Sequence, residues 1–539
     1  MDKKEKVKNW LKNPYNLTFL GILLVAIIIR MYFFILTKNQ PLWWDEADYL
    51  AFAKNLSGFN VDWIVTAKHN SLYPFFAAVL FKFGFSEIFS KFILQIIPSI
   101  LSVWLVYLIA NEMYKDKRVG LIASFILSIF WVHLFNSTRF HIDIPALFTG
   151  LLAIFVFWRG YENKKKIFGK INPKWAIPIT AFLVVLTYSI RRAHFIFGLF
   201  FLLYIILTKD WKNIIKDRHN WIGLGLVIVL LIITENFIFS SGVSSLSEGY
   251  FHTENPITFA PFKVFSAFFS NIFNPATSIL LYLFWAGFLL IIVTLSLSVG
   301  HIKKSENKET RADLFNFLAI ILTLSLFIFI LRTPDTFGEP RWYLPLAFSS
   351  LIFIGKISSW IIDKFPRDYK KLAVILIAFL IAFGGYYEIK HSNEIIKNKL
   401  TTYNGIKEAS LFIKQISDQD DIIITRGMPQ VAYYSERNAV NIQDWASPGG
   451  IGLATLDDNL NKIRQTPEAK YLIITFSEPG YPEWARNANP QTSWEIPFMA
   501  TKIDLRTQEQ DIKQEASFED ITFKLIEIKE EVFIYKIIH

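Results

Sequence analysis

What limits this chain most is its alternation of long apolar runs with short basic loops. About eleven runs, near 17–37, 88–112, 119–138, 144–160, 174–190, 194–208, 220–239, 276–299, 313–332, 341–361 and 372–389, suffice to cross the ~30 Å of a bilayer's hydrocarbon, allowing for tilt. Every second loop is basic. Lys3, Lys4, Lys6, Lys8 and Lys12 precede the first run, and Lys115, Lys117 and Arg118 follow the second. Lys164, Lys165, Lys166, Lys170 and Lys174 follow the fourth, Lys209, Lys212, Lys216 and Arg218 the sixth, Lys303, Lys304, Lys308 and Arg311 the eighth, and Lys364, Arg367, Lys370 and Lys371 the tenth. Cytoplasmic loops collect Lys and Arg, so the N-terminus is expected in the cytoplasm and everything beyond residue 390 outside the cell membrane. The first run has no small-residue cleavage site and reads as an anchor.

Composition agrees. With 53% hydrophobic and 19% charged residues, a soluble domain is excluded. The net charge of +10 lies in the loops, so it reports topology and gives no nucleic-acid patch. The absence of cysteine excludes disulfides and thiolate metal sites.

Two stretches fit poorly as spans. Leu72–Phe85 is too short and Ile257–Phe273 too polar, and both are expected to lie in the outer interface. From Thr401 the composition becomes that of a soluble domain. Lys407–Ile416 has helical spacing, Asp421–Thr425 and Tyr471–Thr475 read as short buried strands, and Gly450–Arg464 is helix-like. Val532–Ile538 reads as a final antiparallel strand. The organisation expected is a polytopic α-helical membrane domain over 1–390, then a small extracytoplasmic α/β domain over 391–539 with a mainly parallel sheet. Gly449-Gly450-Ile-Gly452 has no strand immediately before it, which argues against nucleotide binding.

Ionisable residues beside hydrocarbon are costly and point to function. Three acids, Asp45, Glu46 and Asp48, sit in Pro41-Leu-Trp-Trp-Asp-Glu-Ala-Asp-Tyr-Leu50, just after the first run. They could start a helix over 45–55, since acids favour a first turn, but that accounts for one acid better than for three. Asp48 reads as helix surface. Asp143, in Arg139-Phe-His-Ile-Asp-Ile-Pro145, falls on the same side; it could cap a helix with Pro145 in the first turn, or serve chemistry with Arg139 and His141. On that face Lys68, His69, Arg191, Arg192, His194 and Arg341 depart from the charge rule. They either snorkel to lipid phosphates or together bind a phosphate group, for which guanidinium forks are suited. Arg30 lies deep in the first run with no role legible, and Glu235 nears the outer end of its run. In the C-terminal region Tyr433, Tyr434, Trp445, Tyr481 and Trp484 are open to core packing or to stacking on sugars.

Trp44-Asp-Glu-Ala-Asp-Tyr49, Lys68-His-Asn-Ser-Leu-Tyr73 and His141-Ile-Asp-Ile-Pro145 together resemble the GT-C membrane glycosyltransferases, in the branch of the protein O-mannosyltransferases and lipid A aminoarabinose transferases. The likeness in layout covers roughly 10–390. It implies inverting transfer of a sugar from a polyprenyl- or dolichyl-phosphate donor to a hydroxyl of a protein, glycan or lipid acceptor on the outer face. Asp45 would then be the general base, Glu46 its support and Asp143 the second acid. Arg341, in Arg-Trp-Tyr-Leu-Pro345, matches the family's Arg-Tyr-x-x-Pro with Trp342 inserted. Where the family has Lys before Pro-Pro-Leu, this chain has His69-Asn-Ser-Leu72, so the phosphate role of that lysine falls to Lys68 or His69, with Arg191 and Arg192 as further candidates. Such a transfer needs a base and stabilisation of the departing phosphate, with no enzyme nucleophile. No cofactor is required, though Asp45 with Asp143 could hold Mg²⁺ or Mn²⁺ through oxygen ligands. The competing classes are a transporter or channel with an external ligand-binding domain, whose charges would line a path at mid-span, and a sensor, for which so many spans are excessive.

Overall fold

The computed structural model describes residues 5, 9–58, 72–239, 278–298, 307–329, 340–442, 445–446, 454–475, 493–496, 501–504, 510–511 and 514–539. Along the chain the helices are α1 (Pro14–Thr37), α2 (Trp44–Leu56), α3 (Tyr73–Lys82), α4 (Glu87–Tyr114), α5 (Lys117–Ile129), α6 (Trp131–Ser137), α7 (Asp143–Glu162) and α8 (Pro173–Ile190). They continue with α9 (Arg192–Thr208), α10 (Trp211–Lys216), α11 (Arg218–Ile238), α12 (Ser278–Ser298), α13 (Lys308–Phe329), α14 (Pro340–Lys364) and α15 (Arg367–Asn398). Two compact units emerge. A helical unit comprises Met1–Lys38, Asn70–Tyr73 and Glu87–Lys397; the other takes Asn39–His69, Pro74–Ser86 and Asn398–His539. The segment after the first span therefore groups with the C-terminal residues, where sequence had put it in the membrane domain.

Each run expected to span is mainly helical over its described residues. Among the described residues, eight helices are long and apolar enough to cross a membrane, and α5 with α6 makes a ninth if the bent pair is one span. The other two expected runs are α9, a shorter apolar helix, and α13. The chain is a multi-pass membrane protein. Of the two stretches assigned to the interface, Tyr73–Lys82 is a helix of ten residues and Ile257–Phe273 lies outside the described residues. Helices approach closely at glycines, as membrane helices do: a Cβ on Gly355 would press into the backbone of Val119, and one on Gly287 into that of Phe353.

The third span is broken. α5 and α6 meet at 52° around Phe130, whose φ of −66° and ψ of 118° are extended. A break inside hydrocarbon leaves carbonyls and amides without helical partners, and these must be met by side chains. Arg30 of α1, wholly buried, does this for the carbonyls. It donates to Ser128 O at 2.9 Å and Leu127 O at 3.4 Å, with further bonds to Ser99 Oγ at 2.6 Å and His133 Nδ1 at 2.8 Å. Glu388 of α15, also wholly buried, accepts from the Trp131 amide at 3.1 Å. The deep arginine thus closes one end of the break, and a carboxylate opens the next helix.

The C-terminal part of the second unit continues with α16 (Asn404–Ile416), β1 (Ile422–Thr425), α17 (Met428–Ser435), β2 (Asn438–Asn441), α18 (Leu456–Arg464) and β3 (Ala469–Thr475), then β4 (Ser493–Ile496), β5 (Thr501–Asp504), β6 (Gln510–Asp511), β7 (Glu515–Phe518), β8 (Ile521–Lys529) and β9 (Val532–Ile538). Six strands form a sheet in the order β2-β1-β3-β9-β8-β7, and β4-β5-β6 form a small second one. β1 pairs in parallel with β2 and β3, but β3–β9, β9–β8 and β8–β7 are antiparallel. The sheet is mixed, which corrects the mainly parallel expectation. Alternation along each strand supplies two cores. Ile423, Ile473 and Ile534 face α16 and α17, while Ile424, Leu472, Phe533 and Tyr535 face α18.

Candidate active site

Within the helical unit, α7 and α8 pack side by side in opposite directions, so the start of α7 and the end of α8 share one end of the pair. Asp143 opens α7 and is fully buried. Arg191 leaves α8 in an extended conformation, φ −144° and ψ 112°, and its guanidinium pairs with the Asp143 carboxylate. Each charge also suits its helix end, an acid at an N-terminus and a cation at a C-terminus.

His141 joins them, its Nδ1 4.0 Å from Asp143 Oδ2. Arg341 Nη1 donates to the same Nδ1 at 3.3 Å. A guanidinium only donates, so Nδ1 accepts and the ring proton belongs on Nε2. The loop before α7 is fixed from α4, where Gln95, wholly buried, donates to His141 O at 2.6 Å and to the Tyr73 hydroxyl. The Leu72 amide donates to Ser189 O at 2.8 Å, tying the end of the first loop to α8.

Arg192 is directed elsewhere. Its Nη2 lies 3.1 Å from Glu235 Oε2, Tyr188 donates to the other oxygen of Glu235, and the guanidinium stacks 3.9 Å from the Phe239 ring centroid. Glu235 stands in a π-helical turn, Thr234–Ile238, as Gln95 does in Phe92–Ile96; such turns recur at functional sites. Together Arg191, Arg192 and Arg341 stand against Asp143 and Glu235. The excess positive charge, mostly removed from water, is the electrostatic form of an anion site.

The second unit holds the other acids on α2. Glu46, 1% exposed, accepts from the Trp43 amide at 2.8 Å and so closes the helix start, the structural use foreseen for one acid. Asp45, in the first turn, is half-buried. Asp48 is 7% exposed, which corrects its reading as helix surface. Lys68 and His69 lie outside the described residues. Tyr433 is buried and Trp445 packs against the sheet core; Tyr481 and Trp484 are outside the described residues.

For a metal, the donor set at Asp143 does not fit. Its carboxylate is already matched by Arg191, and among the described residues no group of three His, Cys, Asp or Glu is placed to hold an ion. Sequence singled out Asp143, His141, Arg191 and Arg341, which the fold assembles. It missed Gln95 and Tyr73, although Tyr73 ends one of the quoted motifs and a lone glutamine in an apolar run is itself a signal.

Residues 68–238 match the family described as dolichyl-phosphate-mannose-protein mannosyltransferase. No curated protein matches the sequence. Among solved structures, ArnT from Cupriavidus metallidurans in the apo state is similar at a TM-score of 0.61 and 11% identity, covering 96% of this chain and 97% of that one. The same protein bound to undecaprenyl phosphate gives 0.60 and 10% over 96% and 97%. The Archaeoglobus fulgidus oligosaccharyltransferase, tethered with an acceptor peptide, gives 0.57 and 12% over 87% and 70%.

Proposed function

With the GT-C glycosyltransferase fold as premise, we propose that this protein moves a sugar from a polyprenyl-phosphate donor to an acceptor hydroxyl on the outer face of the membrane. The observation that carries the reading is the net-positive cluster of buried Arg191 and half-buried Arg341 around Asp143 and His141, since a lipid phosphate is the anion a membrane enzyme of this fold would hold. Undecaprenyl phosphate bound to the similar ArnT supports that choice.

In the reaction, Asp45 takes the proton of the acceptor hydroxyl as its oxygen attacks the anomeric carbon. The bond from that carbon to the phosphate oxygen breaks, the lipid phosphate keeps the electron pair, and the configuration inverts. Arg191 and Arg341 stabilise the phosphate as its charge grows. Asp143 and His141 orient those guanidiniums, Glu46 shapes α2, and Arg192 with Glu235 borders the phosphate group. The C-terminal domain then lies outside the cell and the N-terminus inside.

Transport is disfavoured. A transporter's mid-span charges line a path, whereas Arg30 and Glu388 are spent on closing a broken helix. The test is Asp45→Asn: transfer from polyprenyl-phosphate sugar, followed by mass spectrometry of membrane glycans and glycolipids, should fall by about 10²-fold or more. Undiminished transfer removes Asp45 from the role of base.

A further inference from the structure

The helix that carries Asp45 is held by the C-terminal domain. At its start, the Leu42 amide, one residue before the N-cap, donates to the Tyr434 hydroxyl at 2.8 Å. Trp43 sets its ring edge-on to Tyr403, centroids 6.2 Å apart. In its last turn, the Lys54 ammonium sits 4.3 Å from the Tyr433 ring centroid. Tyr433 and Tyr434 are neighbours on α17, their rings perpendicular at 5.3 Å, and α2 packs along α17. Both ends of α2 are therefore fastened to one pair of tyrosines. Gln430, one turn earlier on the same helix, is wholly buried, and its amide finds no hydrogen-bond partner among the described residues.

We propose that the C-terminal domain acts as the holder of the acceptor base, with Tyr434 and Tyr433 as positioning residues that aim Asp45 through α2. The proposal rests on Asp45 being the base. Tyr434 fixes the backbone three residues before Asp45, so the direction in which the chain enters α2, and with it the carboxylate, follows the tyrosine. A displacement of about 1 Å at a reacting group can cost about 10²-fold in rate. These tyrosines, open in sequence to sugar stacking or core packing, serve the first loop instead.

The experiment uses the full-length protein with Tyr434→Phe, Tyr434→His and Asp45→Asn. Hydrogen exchange is followed over residues 42–56 and 143–156, and transfer is measured in membranes of strains making each variant. Tyr434→Phe should raise exchange several-fold over 42–56, leave 143–156 unchanged, and lower transfer about tenfold. Tyr434→His, which again offers an acceptor to the Leu42 amide, should recover part of both, which a mere loss of packing would not allow. Unchanged exchange over 42–56 in Tyr434→Phe overturns the holding role. Raised exchange with full transfer, where Asp45→Asn is inactive, overturns the positioning role. Full transfer by Asp45→Asn overturns the base assignment, while raised exchange still supports the mechanical contact.

Discussion

At the scale of single residues, the Asp143–Arg191 pair is where charge meets the proposed function. Asp143 is 0% exposed and Arg191 9%, so each ion is tolerable only because of the other. Removing one partner of such a pair costs about 3–5 kcal/mol, since it leaves a charge uncompensated. Arg191→Gln is therefore expected to lower thermal stability by that order and, on the proposed function, to weaken binding of an added polyprenyl phosphate about tenfold. Adding Asp143→Asn should return much of the stability but none of the binding; recovery of both would show the arginine to be structural only. The identities of these residues were legible because ions beside hydrocarbon stand out. Their partners were not. Arg191 and Arg192 are neighbours in sequence, yet one pairs with Asp143 and the other with Glu235, a choice made by how α8 ends and which helices flank it.

Among the elements, the break between α5 and α6 was the least legible. No Pro or Gly occurs between residues 121 and 144, so the sequence carried no local reason to interrupt an apolar helix. The reason sits in other spans, in Arg30 and Glu388. Arg30→Met would leave the Leu127 and Ser128 carbonyls without their donor, and a loss of about 3 kcal/mol or more in thermal stability is expected. A Tm equal to wild type would mean the break needs no plug. The C-terminal sheet repeats the lesson on a smaller scale. Its parallel strands were visible as short apolar runs. The hairpins were not, because Glu519 and Glu530 take the left-handed turn positions (φ 55° and 51°) where Asn or Gly usually announces a turn.

For the whole molecule, two units place the proposed acceptor and phosphate chemistry on different supports. In the orientation proposed above, the C-terminal domain is the one exposed to changes of external pH. Asp520 is held below the ordinary carboxylate range, first by the Arg464 hydrogen bond at 2.9 Å, and Asp458 likewise by the Thr455 cap. A lowered carboxyl pKa contributes stability that is complete above the ordinary value of about 4 and disappears as pH falls through the lowered one. Exchange protection of α18 in the full-length protein should therefore weaken below about pH 4, and Asp520→Asn should flatten that dependence. Protection that stays constant to about pH 2 would contradict it. The broken span has a last consequence, for biogenesis. Arg30 enters the bilayer with α1, which is made before the elements that hold Ser99, Leu127 and Ser128, and Glu388 follows only with α15. Until then α1 must insert on its own apolar residues against the ~3 kcal/mol that a lone mid-helix arginine costs at the translocon. α1 is thus committed to the membrane on credit from partners not yet synthesised.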